Sequence, residues 1–352
     1  MIFLPLVGLS GERRGTRCGR EPDRQIAGFM HLYGPISGDM EKLREYLADE
    51  FKSSEPYVHE LLEHLSQFRG KQIRPACVFL AGRCFGQICT DHVRCAAVVE
   101  LIHTATLVHD DLLDQADVRR RVETIHTRYG DRASILLGDI IYARGFVIST
   151  EVEGAARLLA ECTREICIGE IMQVGNAGNL ELTLQQYEEI IHRKTAILYG
   201  LSCKLGALLS GASPEQAEAL ERYGNRMGEA FQIIDDSLDL VGDPELVGKS
   251  LGTDLGNGKL TLPVLMLREA LDQSGRDHLL QLLKACHESE DAAKERQEIA
   301  HLLDEHRIME QVKERARVVI QDALDSLRAA ADPGPARQRL EDLAEYILQR
   351  EL

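Results

Sequence analysis

From about residue 37 to the end of the chain, apolar residues recur at spacings of three and four, the period of helices that bury one face. Prolines are few, and no alternating apolar–polar run bounded by turn residues reads as a strand. The pattern therefore predicts an all-α chain. Thr183 with Gln186, and Ser213 with Pro214 and Gln216, have the form of capping boxes, in which side chains satisfy the free N–H groups of a first helical turn. They open helices expected over 187–209 and from 214 to about 240. Residues 91–109 are more uniformly apolar, so that helix is expected to be buried on most sides, at the centre of the molecule. No repeat, low-complexity tract or composition change marks a linker, and residues 272–352 read as amphipathic helices with a solvated face.

Residues 1–36 stand apart. MIFLPLVGL precedes Arg13, Arg14, Arg17, Arg20 and Arg24, the reverse of the basic-then-apolar order of a secretory signal, and Glu12, Glu21 and Asp23 interrupt the basic stretch of any transit peptide. This segment is expected to be a disordered or artefactual extension, with Met30 or Met40 as alternative starts, ahead of one folded domain over 37–352. A chain of 352 residues, 44% of them apolar, supports one large core.

Charge narrows the function. Acidic residues outnumber basic ones by 57 to 41, and the formal charge of -16 repels nucleic acid and anionic membrane surfaces. An anionic substrate would need a local basic pocket. The nine cysteines are scattered, form no CxxC pair and lie mostly in apolar stretches, which reads as reduced thiols of a cytoplasmic protein. No apolar run reaches the length of about 18 residues that a membrane span requires.

Two acidic clusters carry the chemistry. His109-Asp110-Asp111-Leu112-Leu113-Asp114 follows directly on the most apolar helix, with Asp110 and Asp114 on one face. Like charges at that spacing destabilise a helix, and burial adds a desolvation cost that a divalent cation removes. Carboxylates suit a hard ion such as Mg²⁺, which takes its remaining ligands from water and substrate phosphates. Alone, this cluster reads more readily as a solvated acidic helix end. Asp235-Asp236-Ser237-Leu238-Asp239 repeats the form after GEAFQII, close to a helix stop at Gly242-Asp243-Pro244 where carboxylates are disfavoured. Two violations of one rule in one form point to a shared metal site. Gly70-Lys71-Gln72-Ile73-Arg74-Pro75, Arg119-Arg120-Arg121, Lys194-Thr195, Lys249 and Lys259 punctuate the acidic chain; such cations match phosphate oxygens, Arg bidentately and Lys as a point charge.

HTATLVHDDLLDQADVRR, GEIMQ, HRKTAILYG and GEAFQIIDDSLDLVGDPELVGKSLGTDLGNGKLTLP, taken together, closely resemble the trans-isoprenyl diphosphate synthase family, the polyprenyl synthetases, over about residues 37–352. The resemblance implies an isoprenoid synthase-like fold, a single large helical bundle around a central active-site cavity. It implies a prenyltransferase that condenses isopentenyl diphosphate with an allylic diphosphate (dimethylallyl, geranyl, farnesyl or geranylgeranyl) into a linear, all-trans product. It places three Mg²⁺ ions on the two clusters, two on Asp110 and Asp114 with Asp111 supporting, and the third on Asp235 with Asp236 and Asp239 as further metal-site residues. Lys71, Arg74, His103 and Arg120 match the isopentenyl diphosphate site. Arg119, Lys194, Lys249 and Lys259 match the clamp on the allylic diphosphate, while Thr195 and Gln232 match residues beside the developing carbocation. Phe231 would pack near the prenyl groups, and Glu170 and Gln173 would support the first cluster. A homodimer, and peripheral membrane contact for product release, are further implications.

The sequence departs from the family pattern at Arg69, where a glycine is usual, at Arg121, where a glycine usually follows two arginines, and at Ser250, in place of a common proline. These put loop geometry at issue and remove no charged ligand. Upstream of Asp110 stand Thr106 and Ala105, then Ile102. Each helical turn rises about 5.4 Å, near one extended isoprene unit, so small residues there resemble long-chain synthases with products of about C30–C50, as in quinone side chains. Farnesyl and geranylgeranyl diphosphate synthases commonly carry aromatics at these positions and are the alternative. A terpene cyclase would carry a different second motif and lack Lys71 and Arg74; a non-catalytic partner subunit would be expected to lose Asp residues.

Overall fold

The computed structural model describes residues 31–68, 70–241, 252–289 and 292–349. The expected extension, apart from its last residues, therefore lies outside the described residues, as do Arg69, Lys249 and Ser250. The helical body begins at a 3₁₀ turn, His31–Ile36, ahead of the boundary at 37. Leu32, Tyr33 and Ile36 are buried, so this short segment belongs to the core. Its three apolar side chains fill the space between the C-terminal helix and the helix that starts at Ile73.

The chain then runs through α1 (Ser37–Glu50), α2 (Pro56–Leu65), α3 (Ile73–Phe85), α4 (Thr90–Leu113), α5 (Ile125–Tyr129), α6 (Asp131–Ser149) and α7 (Ala155–Gly175). It continues with α8 (Leu184–Ile191), a π-helical turn His192–Ala196, α9 (Ile197–Leu209) and α10 (Pro214–Val241). After α11 (Thr253–Gly256) come α12 (Leu262–Ala270), α13 (Gln273–Glu288), α14 (Ala293–Glu305), α15 (Ile308–Ala330) and α16 (Pro335–Leu348). The protein is an all-α bundle, as the periodicity predicts. Among the described residues the exception is a hairpin of β1 (Val118–Arg119) and β2 (Val122–Glu123), too short for a pattern of alternation to reveal.

The central position of α4 follows from its composition: Val98, Val99, Leu101, Ile102, Ala105 and Val108 are almost wholly inaccessible. It packs on α3, α6 and α9, while α10 packs between α9 and α15. Both anticipated capping boxes form. Gln186 N–H donates to Thr183 Oγ1 at 3.2 Å and Thr183 N–H donates to Gln186 Oε1 at 2.9 Å. The Ser213–Gln216 pair closes in the same way, at 3.3 and 2.9 Å. Tyr223, buried in α10, donates to the Leu340 carbonyl at 2.7 Å and ties α16 to the body. Among the described residues no helix is long and apolar enough to cross a membrane.

Candidate active site

The helix expected over 187–209 is interrupted where its polar residues lie, at the π turn His192–Ala196. Single π turns inside helices frequently mark functional sites, because the extra residue re-aims the side chains that follow. Two glycines make room for it. A Cβ at Gly169 of α7 would come within 2.6 Å of the Lys194 backbone nitrogen, and one at Gly228 of α10 within 2.6 Å of the Ala196 Cα. Only glycine allows both helices to approach so closely. The glutamate after each glycine then reaches the turn: Glu170 pairs with Lys194 at 2.5 Å and Glu229 with His192 at 2.9 Å.

Lys194 also faces Asp110 at 3.7 Å. Asp114, at the end of α4, accepts from Lys259 at 2.7 Å. With its amide oxygen turned toward them, Gln173 accepts from Lys194 at 3.0 Å and Lys259 at 3.3 Å. Burial pushes the Asp110 carboxyl up to about 6, against the pull of Lys194 and with the push of Glu170 and Asp114. Burial would lower the Lys194 ammonium, but Asp110 and Glu170 outweigh it and hold it above its ordinary range. Asp111 turns the other way. It is 2% exposed and takes Arg119 through Nε at 2.7 Å and Nη2 at 2.6 Å.

Thr195, the next residue of the π turn, reaches the second cluster. Its hydroxyl donates to Gln232 Oε1 at 2.9 Å, Gln232 donates to Asp236 Oδ1 at 2.7 Å, and Tyr187 donates to Asp236 Oδ2 at 2.6 Å. Burial, with Asp254 nearby, raises the Asp236 carboxyl to about 8. Asp239 is fully buried, and its Oδ2 accepts from the Asp254 N–H at 3.0 Å. The Lys259 N–H donates to the Asp254 carbonyl at 2.8 Å, so Asp239 anchors the loop that carries Lys259 to Asp114. Asp235 is half-buried between these fully enclosed neighbours.

The other basic residues form a second group. Arg74 lies over the Tyr199 ring at 4.2 Å, and Tyr199 meets Phe231 with ring centres 5.8 Å apart. Burial holds His103 well below its usual range, reinforced by Arg74, Arg120 and Arg119, which leaves a neutral imidazole among guanidinium groups. Arg120 donates to the Phe68 carbonyl at 2.9 Å, passing the α-carbon of Gly70 where a Cβ would meet it at 2.6 Å. Lys71 lies outside α3: the helix starts at Ile73, and Gln72 before it is left-handed with φ 52°. Lys71 and Arg74 therefore do not follow the i, i+3 geometry of a helix start. Arg120 and Arg121 occupy the hairpin turn at φ 51° and 68°. Such a two-residue turn requires positive φ at both positions, which accounts for the glycine usual at 121 and for strain in this chain.

Ile102 and Ala105 are fully buried, and Thr106 is half-buried with its hydroxyl on the His103 carbonyl at 2.8 Å. Ala105 lies on the α4 stripe that includes Leu101 and Val108, which meets α6 near Gly145 and Ser134. The pattern missed Tyr142 of α6, which reaches His109 at 5.9 Å between ring centres and whose phenol is pushed up by burial, with Asp110 and Glu170 adding to the shift. It also missed Glu100, a carboxyl raised by burial and opposed by Arg74 and Arg120. Glu100 was the visible clue, an acid in the middle of the apolar stretch of α4; nothing distinguishes Tyr142 or Tyr187 from packing residues by type and spacing alone.

A single site thus draws on α4, α7, the π turn and α10, with acids and cations interleaved. The polyprenyl synthetase family model matches residues 55–301. The chain belongs to that family. It is similar to the octaprenyl diphosphate synthase of Escherichia coli, 33% identical over 89% of this chain and 96% of the relative. Among solved structures it is similar to a decaprenyl diphosphate synthase from Rhodobacter capsulatus, with 32% identity and a TM-score of 0.84 over 92% of this chain and 99% of the other. It is also similar to a polyprenyl synthase from Caulobacter crescentus complexed with calcium and isoprenyl diphosphate, with 31% identity and a TM-score of 0.85 over 92% and 98%. Geranylgeranyl diphosphate synthases are among its similar proteins too. The protein is a transferase that makes prenyl diphosphates, with the isoprenoid synthase fold. The family's substrates are isopentenyl and allylic diphosphates, and its members use a divalent metal.

The residues fit such a metal. Among the described residues no three His, Cys, Asp or Glu side chains form a ready-made cage, and Asp110 and Asp114 instead face lysines. This suits an ion that binds through one or two carboxylates and completes its shell with substrate phosphates and water.

Proposed function

We propose that the chain extends an allylic diphosphate with isopentenyl diphosphate into a long-chain, all-trans polyprenyl diphosphate of the kind used for quinone side chains. The observation that carries the shared site is the π turn, whose adjacent residues Lys194 and Thr195 reach the first and second Asp clusters respectively. Asp110, Asp114 and Asp235 hold Mg²⁺, three ions when diphosphate is bound, and Asp111, Asp236 and Asp239 hold the shape of the clusters. When bound, Mg²⁺ stabilises charge on the departing pyrophosphate.

Lys194, Lys259, Lys249 and Arg119 clamp the allylic diphosphate and add fixed positive charge where the leaving group develops negative charge. Thr195 and Gln232, held by Asp236 and Tyr187, place oxygen dipoles beside the carbon that ionises. Phe231 packs against the reacting prenyl groups. Lys71, Arg74 and Arg120 bind isopentenyl diphosphate, and neutral His103 donates a hydrogen bond without adding charge. The double bond then attacks the allylic cation, and the released pyrophosphate takes the proton.

Long product length is supported by Ala105, Thr106 and Ile102, which place no aromatic ring on the turns behind Asp110. A homodimer is supported by an apolar surface on two neighbouring helices, Ile135, Leu136 and Val147 of α6 with Ile171 and Val174 of α7, all exposed. The protein works in the cytoplasm with peripheral membrane contact for product release. Incubation with labelled isopentenyl diphosphate and each primer, followed by chromatography of dephosphorylated products, tests the reading. A ladder reaching beyond C20 supports it; products that stop at C15 or C20 favour the short-chain alternative, and no condensation overturns it.

A further inference from the structure

The loop 70–72 that carries Lys71 has no regular structure, and Gln72 within it is left-handed. Lysine keeps a flexible four-carbon stem whose ordering costs entropy, so a ligand lysine in such a loop needs something to hold it. Two tyrosines from the ends of the chain do so. Tyr33 donates its hydroxyl to the Lys71 carbonyl at 2.5 Å. Lys71 Nζ donates to the Tyr346 hydroxyl at 2.5 Å and lies 5.0 Å from the centre of the Tyr346 ring. Tyr346 projects from α16 at the edge of a buried stripe of Leu340, Leu343, Ala344 and Ile347. It is itself only half-buried, and packing on that edge needs no hydroxyl. The neighbouring cation repeats the arrangement, because Arg74 lies over the Tyr199 ring.

We infer that Tyr346, with Tyr33 fixing the backbone beneath it, is a positioning residue for the isopentenyl diphosphate subsite. The inference rests on the reading of Lys71 as a ligand of that diphosphate. An ammonium has three donors, so Lys71 keeps its bond to Tyr346 and still meets phosphate oxygens. The C-terminal helix thereby prepares one substrate's site and leaves the allylic site alone.

The experiment is steady-state kinetics on the full chain with isopentenyl diphosphate and farnesyl diphosphate varied in turn, for the wild type, Tyr346→Ala, Tyr346→Phe, Lys71→Ala and the Lys71→Ala, Tyr346→Ala double variant. Tyr346→Ala is expected to raise the KM for isopentenyl diphosphate about fivefold, the scale of one exposed cation–π contact with its hydrogen bond. The KM for farnesyl diphosphate and kcat are expected to stay within about twofold, because the allylic clamp is untouched. Tyr346→Phe keeps the ring and is expected to show about half that effect. In the Lys71→Ala background, Tyr346→Ala is expected to add nothing further, since the two residues act as a unit. An unchanged KM for isopentenyl diphosphate, an equal rise for both substrates, or an undiminished effect without Lys71 would overturn the inference. If Tyr346→Ala does not fold, Tyr346→Leu replaces it and is read in the same way. Failure of the functional reading is distinguishable, since it shows as no condensation by the wild type, and an unaltered KM in Lys71→Ala marks the ligand assignment as wrong.

Discussion

Asp110–Asp114 and Asp235–Asp239 share one spelling and both lie in the last turns of a long helix, yet they meet different surroundings. In the first cluster Asp110 and Asp114 face the ammonium groups of Lys194 and Lys259, and the buried Asp111 takes a guanidinium. In the second, Asp236 is held by a phenol and an amide, and Asp239 by a backbone N–H. Charge balances the first cluster, whereas Asp236 of the second takes its hydrogen bonds from neutral dipoles. The same motif therefore tolerates change differently: Asp111 cannot be neutralised without leaving the Arg119 guanidinium alone, whereas Asp236, pushed up to about 8 by burial and the nearby Asp254, already favours its neutral form at neutral pH.

The largest effect is expected where both clusters act on the leaving group. Asp110→Ala and Asp235→Ala should each lower kcat by about a hundredfold or more, since metal stabilisation of developing charge amounts to several kcal/mol. Circular dichroism should show both folded. Near-normal turnover in either, or full activity in excess EDTA, would break the idea that both clusters hold metal.

Next in size is stability at the inward-facing aspartates. Asp111→Asn leaves the half-buried Arg119 beside a neutral partner and is expected to cost about 2 kcal/mol, the scale of a charge-assisted hydrogen bond, whereas Asp236→Asn should cost less than about 1 kcal/mol because a neutral side chain can still accept from Tyr187. Urea denaturation without metal measures both, and equal losses would erase the contrast between charge and dipole balance.

The contrast also has a pH form. The folded-state Asp236 carboxyl is raised to about 8 from 3.8, so its contribution to stability is complete below the unfolded value and is lost as pH rises through 8. In EDTA, the wild type should lose more stability between pH 7 and 9 than Asp236→Asn, which has no proton to lose there. Parallel melting curves across that range would contradict it.

The smallest effect on rate is expected at Ala105, behind the first cluster only. Ala105→Phe should keep condensation within about tenfold and shorten the product toward C15 or C20, because a ring there intrudes on roughly one turn of helix. An unchanged product ladder would place the length limit elsewhere, with Tyr142 the next residue to vary.

Much of this was legible along the chain. The helical period, both capping boxes and the burial of 91–109 follow from local patterning, because a helix records its environment at every third and fourth residue. The acids and bases that the structure brings together at the π turn were legible because charged residues are conspicuous in apolar surroundings. The hairpin at 118–123 and the core role of Leu32, Tyr33 and Ile36 were not, since two-residue strands and a six-residue turn are too short to show a period.

By itself the sequence determined the fold class, the family and the two Asp clusters, properties written in residue type and spacing. Tertiary structure alone decided how those residues divide their work. That Asp110 faces a lysine and Asp236 a tyrosine, that a π turn between Gly169 and Gly228 joins the clusters, and that Tyr346 holds Lys71 across 275 residues all depend on which helices lie side by side. Contacts between distant segments leave no local period, because each partner satisfies its own helix equally well with or without the other.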